Sequence, residues 1–429
     1  MELMLPFIML LIFLIAGIPI AFALGTAGIL GIFLITRDIQ VLMSMVGLVT
    51  YDAVASYVLS AVPMFILMAF LISSGGIARD MFKSAYNWTS NVRGGVAIGT
   101  VFACGIFGAM SGASLAAASV MSEIAIPNMR RLGYSEPLTG GVVSIGSTLC
   151  ILIPPSILFV IYGTLTDTSI AKLLLAGVIP GIVLGIFLIL CIFLWVTIRP
   201  QDAPQAEKMS WSERWRGSIH IWPAVLLIFI VIVLLYAGVA TPTEVAGLGA
   251  FFAGLIGISL RRLTWAGALK SFKETISISA MIFMLLIGAY IFGYFITLSG
   301  LPEAVINTVD TMNLNRWIVM FAICLSYFIF SMFMDELPLM LIYLQITFPL
   351  IIKLGFDPIW YGVVIAILIM MGFVFPPVGL ICFVVSSAGK MKLMDVYMGS
   401  SILIIAIIIT LIALMFFPEI ALWLPSTMK

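Results

Sequence analysis

The stretch that decides the fold is Ser147-Thr148-Leu149-Cys150-Ile151-Leu152-Ile153-Pro154-Pro155-Ser156, which ends in two consecutive prolines and a serine. It lies in the segment from Pro137 to Thr166, which has no charged residue and is long enough to cross a bilayer. Two adjacent prolines break a helix, because each lacks a backbone donor and clashes with the preceding turn. Such breaks leave carbonyls free and are where transporters bind ions and substrates. The sequence therefore predicts a discontinuous membrane helix with a site at its break.

A second copy of this pattern lies further along the chain. Gly372-Phe373-Val374-Phe375-Pro376-Pro377-Val378-Gly379 sits inside the uncharged segment from Ile359 to Gly389. One coincident double proline is weak evidence for a repeat, whereas several landmarks that share one spacing are strong evidence. The landmarks separated by 222 residues are Pro154-Pro155 and Pro376-Pro377, Leu132-Gly133-Tyr134 and Leu354-Gly355-Phe356, and Pro127 and Pro349. We therefore predict two halves, residues 1–198 and 221–429, joined by a cytoplasmic linker at 199–220.

The composition excludes a soluble globular protein. Hydrophobic residues make up 63% of the chain, charged residues make up 9%, and the mean hydropathy is +1.26. Apolar stretches long enough to cross a bilayer recur, so we predict an all-α polytopic membrane protein. A net charge of +1 gives no case for a nucleic-acid partner. Five cysteines without a CxxC pair argue against a disulfide framework or a metal cluster.

Apolar runs and their interruptions predict the same order of segments in both halves. In the first half we expect two passes within 3–36, the first one short, an interfacial piece at 37–51, a span at 57–74, a polar arm at 75–93, a re-entrant hairpin at 94–127, a broken helix at 137–166 and a span at 173–198. In the second half we expect two spans within 221–260, an interfacial arm at 264–274, a span at 275–300, a hairpin at 317–350, a broken helix at 359–389 and a last span at 396–417.

The basic residues predict the orientation of the chain. When the base of the first hairpin faces the cytoplasm, 15 of the 20 Lys and Arg residues fall in cytoplasmic segments, at 75–93, 128–136, 199–220, 261–274 and 387–395. Positive charge resists translocation, so this bias supports the arrangement. The two hairpins then open from opposite sides of the membrane. The halves are therefore predicted to be inverted-topology repeats, with both breaks near the midplane.

The predicted tip of the first hairpin is Ser111-Gly112-Ala113-Ser114, which combines two hydroxyls with a glycine that lets backbone approach a ligand. Small residues also simply allow helices to pack closely in membranes. Taken alone, the tip supports ligand binding and helix packing equally well as interpretations. Its place opposite a proline-broken helix favours ligand binding, so Ser111 and Ser114 are candidate contacts.

Two adjacent carboxylates mark the second hairpin. Asp335 lies 222 residues after Ala113 and is followed by Glu336. Ionisable residues within membrane segments are costly and are candidates for function by default. Asp335 is central in its hairpin, so we expect it at a binding site, whereas Glu336 remains open between the site and the outer interface. We expect Glu123, near the end of the first hairpin, at the interface.

The first helix break offers oxygen ligands for a cation. The hydroxyls and carbonyls of Ser147, Thr148, Pro154 and Ser156 suit an alkali cation. C-terminal ends of half-helices favour cations and N-terminal ends favour anions, so one broken helix can hold Na⁺ and an anionic substrate together. Proton coupling is less favoured, because the one histidine, His220, lies in the linker. No nucleophile elbow, zinc-protease motif or P-loop supports an enzyme.

Taken together, the motifs of this chain resemble the large membrane subunit of TRAP transporters, the tripartite ATP-independent periplasmic carriers of bacteria and archaea. The similarity covers nearly the whole chain in order, and the set is far more specific than any single motif. Ala113 departs from the family pattern, which often has serine there. The motifs are Met110-Ser111-Gly112-Ala113-Ser114-Leu115-Ala116-Ala117, Ile126-Pro127-Asn128-Met129, Leu132-Gly133-Tyr134, Leu152-Ile153-Pro154-Pro155-Ser156, Thr241-Pro242-Thr243-Glu244, Asp335-Glu336-Leu337-Pro338 and Pro376-Pro377-Val378-Gly379.

The resemblance implies a Na⁺-coupled secondary transporter in the bacterial cytoplasmic (inner) membrane, with a fold of the ion transporter superfamily type. It implies uptake of a carboxylate such as sialic acid or a C4-dicarboxylate, a soluble periplasmic binding protein and a separate small four-helix membrane subunit. It also implies an elevator mechanism, in which hairpins and broken helices move against a scaffold. The implied substrate contacts are Ser111, Ser114, Ser156 and Asp335, and the implied Na⁺ ligands are Ser147, Thr148 and Pro154 at one site and Gly372 and Pro377 at its mirror.

Two other functions remain open from the sequence. The first is a self-sufficient Na⁺/dicarboxylate symporter of similar fold, which would transport substrate without a binding protein. The second is a channel, or a membrane scaffold subunit without a carrier cycle. Uptake by the chain alone would favour the symporter, and saturable flux that needs a Na⁺ gradient would exclude the channel.

Overall fold

The computed structural model describes residues 4–204, 209–218 and 222–428. Every regular element in these ranges is a helix, in agreement with the predicted all-α architecture. Six helical segments of the described chain are long and apolar enough to cross a membrane: Tyr57–Ser74, Ile170–Ile198, Pro242–Ser259, Trp265–Leu298, Glu336–Lys353 and Leu393–Phe416. Shorter apolar helices lie between them, as expected where membrane helices are broken or re-entrant.

The first 36 residues contain two helices, the first of them short. α1 (Leu5–Ile15) is separated from α2 (Ile20–Thr36) by a tight turn. Gly17 in this turn has a φ of +75°, which glycine adopts without a steric penalty. Pro19 follows it and precedes the first residue of α2, where its missing N–H costs nothing. The predicted interruption at this point is therefore present.

Three further helices lead to the first hairpin. α3 (Ile39–Ala55) is capped by the preceding residue, Asp38, whose carboxylate accepts the backbone N–H of Gln40 at 2.7 Å. A 3₁₀ turn then leads into α4 (Ala61–Ser74), and α5 (Ile77–Thr89) follows as the polar arm. The interfacial piece and the arm predicted from the sequence are thus both helical.

The first hairpin consists of α6 (Gly95–Ser111) and α7 (Ser114–Arg131), which pack against each other. Only two residues interrupt the helical backbone between them. Gly112 has a φ of +61°, and Ala113 is extended, with φ of −130°. The tip therefore forms at the small residues that the sequence indicated.

The first broken helix consists of α8 (Glu136–Thr148) and α9 (Ile157–Thr166). A 3₁₀ turn at Leu149–Ile151 ends the first part, and the chain is non-helical through the double proline. The break follows from the two missing donors, since the helix cannot continue through Pro154 and Pro155. Both halves of this helix are largely buried.

Helices α10 (Ile170–Ala176) and α11 (Val178–Ile198) form the span after the break, and part of the linker follows. The linker contains α12 (Trp211–Ser218), which packs on α5. Trp88 of α5 contacts Trp215 edge-on, with 5.5 Å between ring centroids. His220 lies outside the described residues.

The second half begins with α13 (Trp222–Tyr236) and α14 (Pro242–Ser259), as predicted for two spans. A capping box starts α14: the Thr241 hydroxyl accepts the N–H of Glu244, and the Glu244 carboxylate accepts the N–H of Thr241. The motif that contributed to the family resemblance thus has a local role in helix initiation.

The next element corrects the sequence prediction of an interfacial arm at 264–274 followed by a separate span. The structure has one continuous helix, α15 (Trp265–Leu298), of 34 residues. The charges that suggested an arm do not interrupt it, because Lys270 and Glu274 lie one turn apart and form an ion pair at 3.7 Å. No proline breaks the segment either.

The rest of the second half contains the other hairpin and the other broken helix. α16, which the sequence analysis did not predict, fills the interval before the hairpin. The hairpin is α17 and α18, and the broken helix is α19 and α20. The bounds are α16 Leu301–Thr311, α17 Arg316–Ser331, α18 Glu336–Lys353, α19 Pro358–Phe373, α20 Leu380–Gly389, α21 Leu393–Phe416 and α22 Glu419–Ser426.

Close helix contacts divide the packing into two groups. α2 and α4 pack along α15 and α14 packs along α4, whereas α8 packs along α21 and α7 packs against α20. The two groups meet where α18 of the second hairpin packs on α15. Glycines allow the tightest approaches: a Cβ on Gly288 would lie 2.2 Å from the Ala21 carbonyl, and one on Gly141 would meet the backbone of Gly399. The hairpins and broken helices thus form a body beside α2, α4, α14 and α15. The inverted orientation of the two halves stays a prediction.

Candidate substrate site at the hairpin tips

A cavity of about 240 Å³ lies where the two hairpin tips meet the helices α4 and α15. Its walls are mostly apolar and include Ile66 and Phe70 of α4 and Ile282 of α15. Its polar lining consists of Ser73, Ser111, Ser114, Asp335 and Glu336. An apolar cavity with a few convergent polar groups is the usual form of a small-molecule site.

A second cavity, of about 350 Å³, is larger but has a different character. It lies against Trp317 and Phe321 of α17, and among the described residues no carboxylate or hydroxyl lines it. These side chains are exposed apolar groups of the kind that face lipid. The cavity at the hairpin tips is therefore the better candidate for a polar substrate.

The tip of the first hairpin presents an open helix N-terminus to the cavity. α7 begins at Ser114, and its N-cap residue, Ala113, has no side-chain acceptor for the first backbone N–H groups. The first N–H groups of a helix lack intrahelical partners and carry the positive end of the helix dipole. Leu115 and Ala116, in this first turn, line the cavity. This arrangement suits a carboxylate of a ligand.

The tip of the second hairpin brings two carboxylates to the same cavity. Asp335 is the N-cap of α18, and its carboxylate accepts the backbone N–H of Glu336 at 2.9 Å. Glu336 is more deeply buried, with 8% of its surface exposed. Its carboxylate accepts a hydrogen bond from the Ser114 hydroxyl at 3.3 Å. The sequence did not decide whether Glu336 belongs to the binding site or to the outer interface. Glu336 nevertheless lies 222 residues after Ser114, which is also the spacing of the two double prolines.

Three of the four predicted substrate contacts, Ser111, Ser114 and Asp335, line this cavity. The buried Ser111 hydroxyl donates only a long hydrogen bond, 3.4 Å, to the carbonyl of Gly108. The fourth, Ser156, is fully buried and caps α9 by accepting the N–H of Phe159 at 3.5 Å. Ser156 itself does not line the cavity, although the next residue, Ile157, does.

The first Na⁺ site is predicted at the junction between the first tip and the first break. A Cβ on Gly112 would lie 2.8 Å from the carbonyl oxygen of Pro155, so the tip rests directly on the break. Ser147 and Thr148 are fully buried, and each hydroxyl donates to a carbonyl one turn back at 2.7 Å. Their oxygen lone pairs remain available to a cation. Pro154 is also buried at this junction.

The two residues of the predicted mirror site, Gly372 and Pro377, differ in burial. Gly372 packs so closely on the second hairpin that a Cβ there would overlap Ser331. Pro377, by contrast, is exposed, and its carbonyl accepts a hydrogen bond from the Tyr397 hydroxyl at 3.1 Å. The residues of the two junctions are thus placed differently. The assignment of Na⁺ to either of them stays a prediction.

The predicted interfacial residue Glu123 is exposed on α7. Near the end of the same helix, Arg130 donates to Glu136 at 2.7 Å and to the carbonyls of Gly389 and Lys390 at 2.8 and 3.3 Å. The end of the first hairpin is therefore joined to the C-terminus of α20. From the sequence this region, 128–136, is predicted only as a cytoplasmic segment with basic residues.

Comparison with known proteins agrees with this architecture. Residues 7–420 match the family described as "Tripartite ATP-independent periplasmic transporter, DctM component". The chain is similar in fold to the YdaH transporter of Alcanivorax borkumensis, with a TM-score of 0.64, 11% identity and coverage of 90% of each chain. At that identity the similarity concerns the fold alone.

Relatives with different substrates in their names are similar over nearly the whole chain. The C4-dicarboxylate TRAP transporter large permease protein DctM of Pseudomonas aeruginosa is 31% identical, over 94% of each protein. The ectoine TRAP transporter large permease protein TeaC of Halomonas elongata is 30% identical, over 96% of each. The sialic acid TRAP transporter large permease protein SiaM of Vibrio cholerae is 28% identical, over 96% of this chain and 95% of that protein. The chain therefore belongs to the DctM family, the large membrane permease subunits of TRAP transporters.

Proposed function

We propose that this chain is the large subunit of a Na⁺-coupled TRAP transporter that imports an organic carboxylate across the bacterial inner membrane. The cavity between the hairpin tips carries this proposal. It combines apolar walls with an uncapped helix N-terminus at Ser114, which is a suitable position for a substrate carboxylate.

The position of the cavity supports an elevator movement. One side is formed by the tips of the two hairpins, and the other by α4 and α15. α4 packs on α15, and α18 of the second hairpin meets α15 at this boundary. If the hairpin body slides along α4 and α15, a ligand held at the tips moves with it across the membrane.

Na⁺ binding at the junctions between tips and breaks supplies the coupling in this proposal. Ser147 and Thr148 offer buried hydroxyl oxygens on α8 ahead of the break, and the break itself meets the first tip where Gly112 packs on the carbonyl of Pro155. A cation at this junction would hold the tip against the break and would add positive charge near the substrate carboxylate. Ion and substrate would then stabilise the same tip conformation, which is the thermodynamic basis of coupling.

The proposal includes two protein partners. A periplasmic binding protein delivers the substrate, and a small four-helix membrane subunit associates with the large one. The names of the relatives span dicarboxylates, sialic acid and ectoine at similar identity, so the overall similarity does not select one carboxylate.

The test is transport by liposomes that contain this chain and its small subunit. Labelled carboxylates are presented with and without candidate binding proteins, under an inward Na⁺ gradient or with K⁺ in its place. We expect saturable uptake that needs both the Na⁺ gradient and the binding protein. Uptake by this chain alone would contradict the role of the binding protein, and flux without saturation would contradict a carrier.

A further inference from the structure

The apolar cavity of about 350 Å³ at the second hairpin lies outside the proposed substrate site. It is a groove between α17, α19 and α21, and among the described residues no charged side chain lines it. Phe321 and Leu325 of α17 line the groove and are exposed. An exposed apolar patch that is continuous over several helices marks a contact surface for lipid or for another protein.

The groove has the depth of one bilayer leaflet. Trp317 lines it at the base of the hairpin, and Phe328 lines it close to the tip. Because a helix rises about 1.5 Å per residue, these two positions are about 16 Å apart along α17. Half of a hydrocarbon core of about 30 Å is about 15 Å. One acyl chain can therefore lie along the groove from the interface to the midplane.

An arginine lies at the mouth of the groove. The guanidinium carbon of Arg316 is 5.6 Å from the ring centroid of Trp317, which lines the groove, and 5.5 Å from that of Phe356. The two rings contact each other edge-on, with 5.2 Å between their centroids. Cation–π contacts with both rings therefore hold the guanidinium next to the groove.

Arg316 has no anionic partner among the described residues, since no ion pair there includes it. The carboxylate of Asp357, beside Phe356 in the sequence, caps α19 by accepting the N–H groups of Ile359 and Trp360 at 2.8 and 3.0 Å. A guanidinium binds phosphate through paired hydrogen bonds. The groove thus combines an apolar channel with a phosphate-binding group at its mouth.

We propose that this groove binds one phospholipid with a net negative headgroup, of the phosphatidylglycerol type. Arg316 binds the phosphate, Trp317 lies at the headgroup boundary, and one acyl chain follows α17 between α19 and α21. Charge complementarity selects this occupant, because an apolar protein segment would fill the groove and leave Arg316 without an anion. The site is separate from the cavity at the hairpin tips, so the proposal depends on neither the substrate nor Na⁺.

The test uses phosphatidylglycerol with a photoreactive group on one acyl chain. The full-length chain is purified in detergent, titrated with this probe and illuminated, and the labelled peptides are identified by mass spectrometry. We expect saturable labelling of peptides from α17, α19 and α21.

Three unlabelled competitors separate the headgroup from the chains. Phosphatidylglycerol should compete with the probe. Phosphatidylcholine with the same chains should compete about fivefold less well, which is the factor expected for one basic residue near a charged membrane surface. Glycerophosphoglycerol, which has the headgroup without the chains, should not compete.

Variants at the mouth and along the groove test the two parts of the site. Arg316→Gln should weaken probe binding about fivefold, whereas Lys172→Gln, which removes an exposed cation on α10, should leave it unchanged. Leu325→Trp should reduce labelling because the larger side chain fills the groove. Leu190→Trp on α11 is its matched control, since these two leucines are 47% and 49% exposed and only Leu325 lines the groove.

Three results would overturn the proposal. Labelling that is spread evenly over the lipid-facing helices, or that is unchanged in Arg316→Gln, would reduce the groove to ordinary lipid-facing surface. Competition by glycerophosphoglycerol as strong as that by phosphatidylglycerol would make the site one for a free phosphate ester. Loss of groove labelling when the small membrane subunit is present would assign the groove to that subunit.

Discussion

The hydroxyl of Ser114 donates a hydrogen bond of 3.3 Å to the carboxylate of Glu336, which lies 222 residues further along the chain. The contact joins the tips of the two hairpins at the first residues of α7 and α18. It also lies at the cavity that carries the proposed function. One hydrogen bond thus connects the arrangement of the hairpins with the chemistry of the site.

Ser114→Ala should both destabilise the protein and weaken substrate binding. Glu336 would lose its one side-chain donor among the described residues, and an unsatisfied buried group costs about 1–3 kcal/mol. Thermal unfolding and the KM for uptake are the measurements. Ser122→Ala is the control, because within the described part of the chain the Ser122 hydroxyl bonds only inside α7, to the carbonyl of Ala118. Equal effects of the two variants would show that the contact between the tips has no special role.

Gly112→Ala should displace the first tip from the broken helix. The left-handed backbone at φ +61° costs a residue with a Cβ about 1–2 kcal/mol, and that Cβ would lie 2.8 Å from the Pro155 carbonyl oxygen. We expect lower thermal stability and loss of Na⁺-dependent uptake. Gly185→Ala on α11 is the control, because its Cβ would meet no atom of the described residues within 4 Å. Wild-type uptake by Gly112→Ala would argue against close contact of tip and break.

Thr148→Val should weaken Na⁺ coupling while keeping the side-chain shape. If the hydroxyl oxygen is a ligand, the half-saturating Na⁺ concentration should rise about tenfold, which corresponds to about 1.4 kcal/mol. Uptake measured against Na⁺ concentration gives this value. Thr410→Val is matched in burial and in its bond to a carbonyl one turn back, but lies on α21. Unchanged Na⁺ dependence in Thr148→Val would exclude Thr148 from the ion site.

Arg130→Gln should loosen the connection between α7 and α20. The hydrogen bond with Glu136 raises the pKa of Arg130, so the ion pair persists throughout the physiological range. Because the pair is about one-third exposed, we expect a loss of only about 1 kcal/mol in the free energy of unfolding. Arg131→Gln, an exposed neighbour, should change stability much less. Denaturant unfolding in detergent is the measurement. Equal losses of stability in Arg130→Gln and Arg131→Gln would contradict a connection of α7 to α20 through Arg130.

Much of the helix plan could be predicted, because local chemistry controls where a helix stops. Gly17, Gly112 and the double prolines interrupt the backbone where the sequence indicated, since glycine and proline act without help from distant residues. The same logic failed for α15. Charged residues at one end suggested a separate arm, but charge alone does not end a helix.

The sequence by itself determined an all-helical membrane chain with two proline breaks. It also located the first hairpin tip by its small residues and the second by its two carboxylates. Only the tertiary structure decided that Glu336 is the more buried carboxylate, that Ser114 contacts it, and that Ser156 lies behind the cavity rather than in it. The reason is physical. Backbone breaks depend on neighbouring residues, whereas burial and side-chain partners depend on which distant segments the packing brings together.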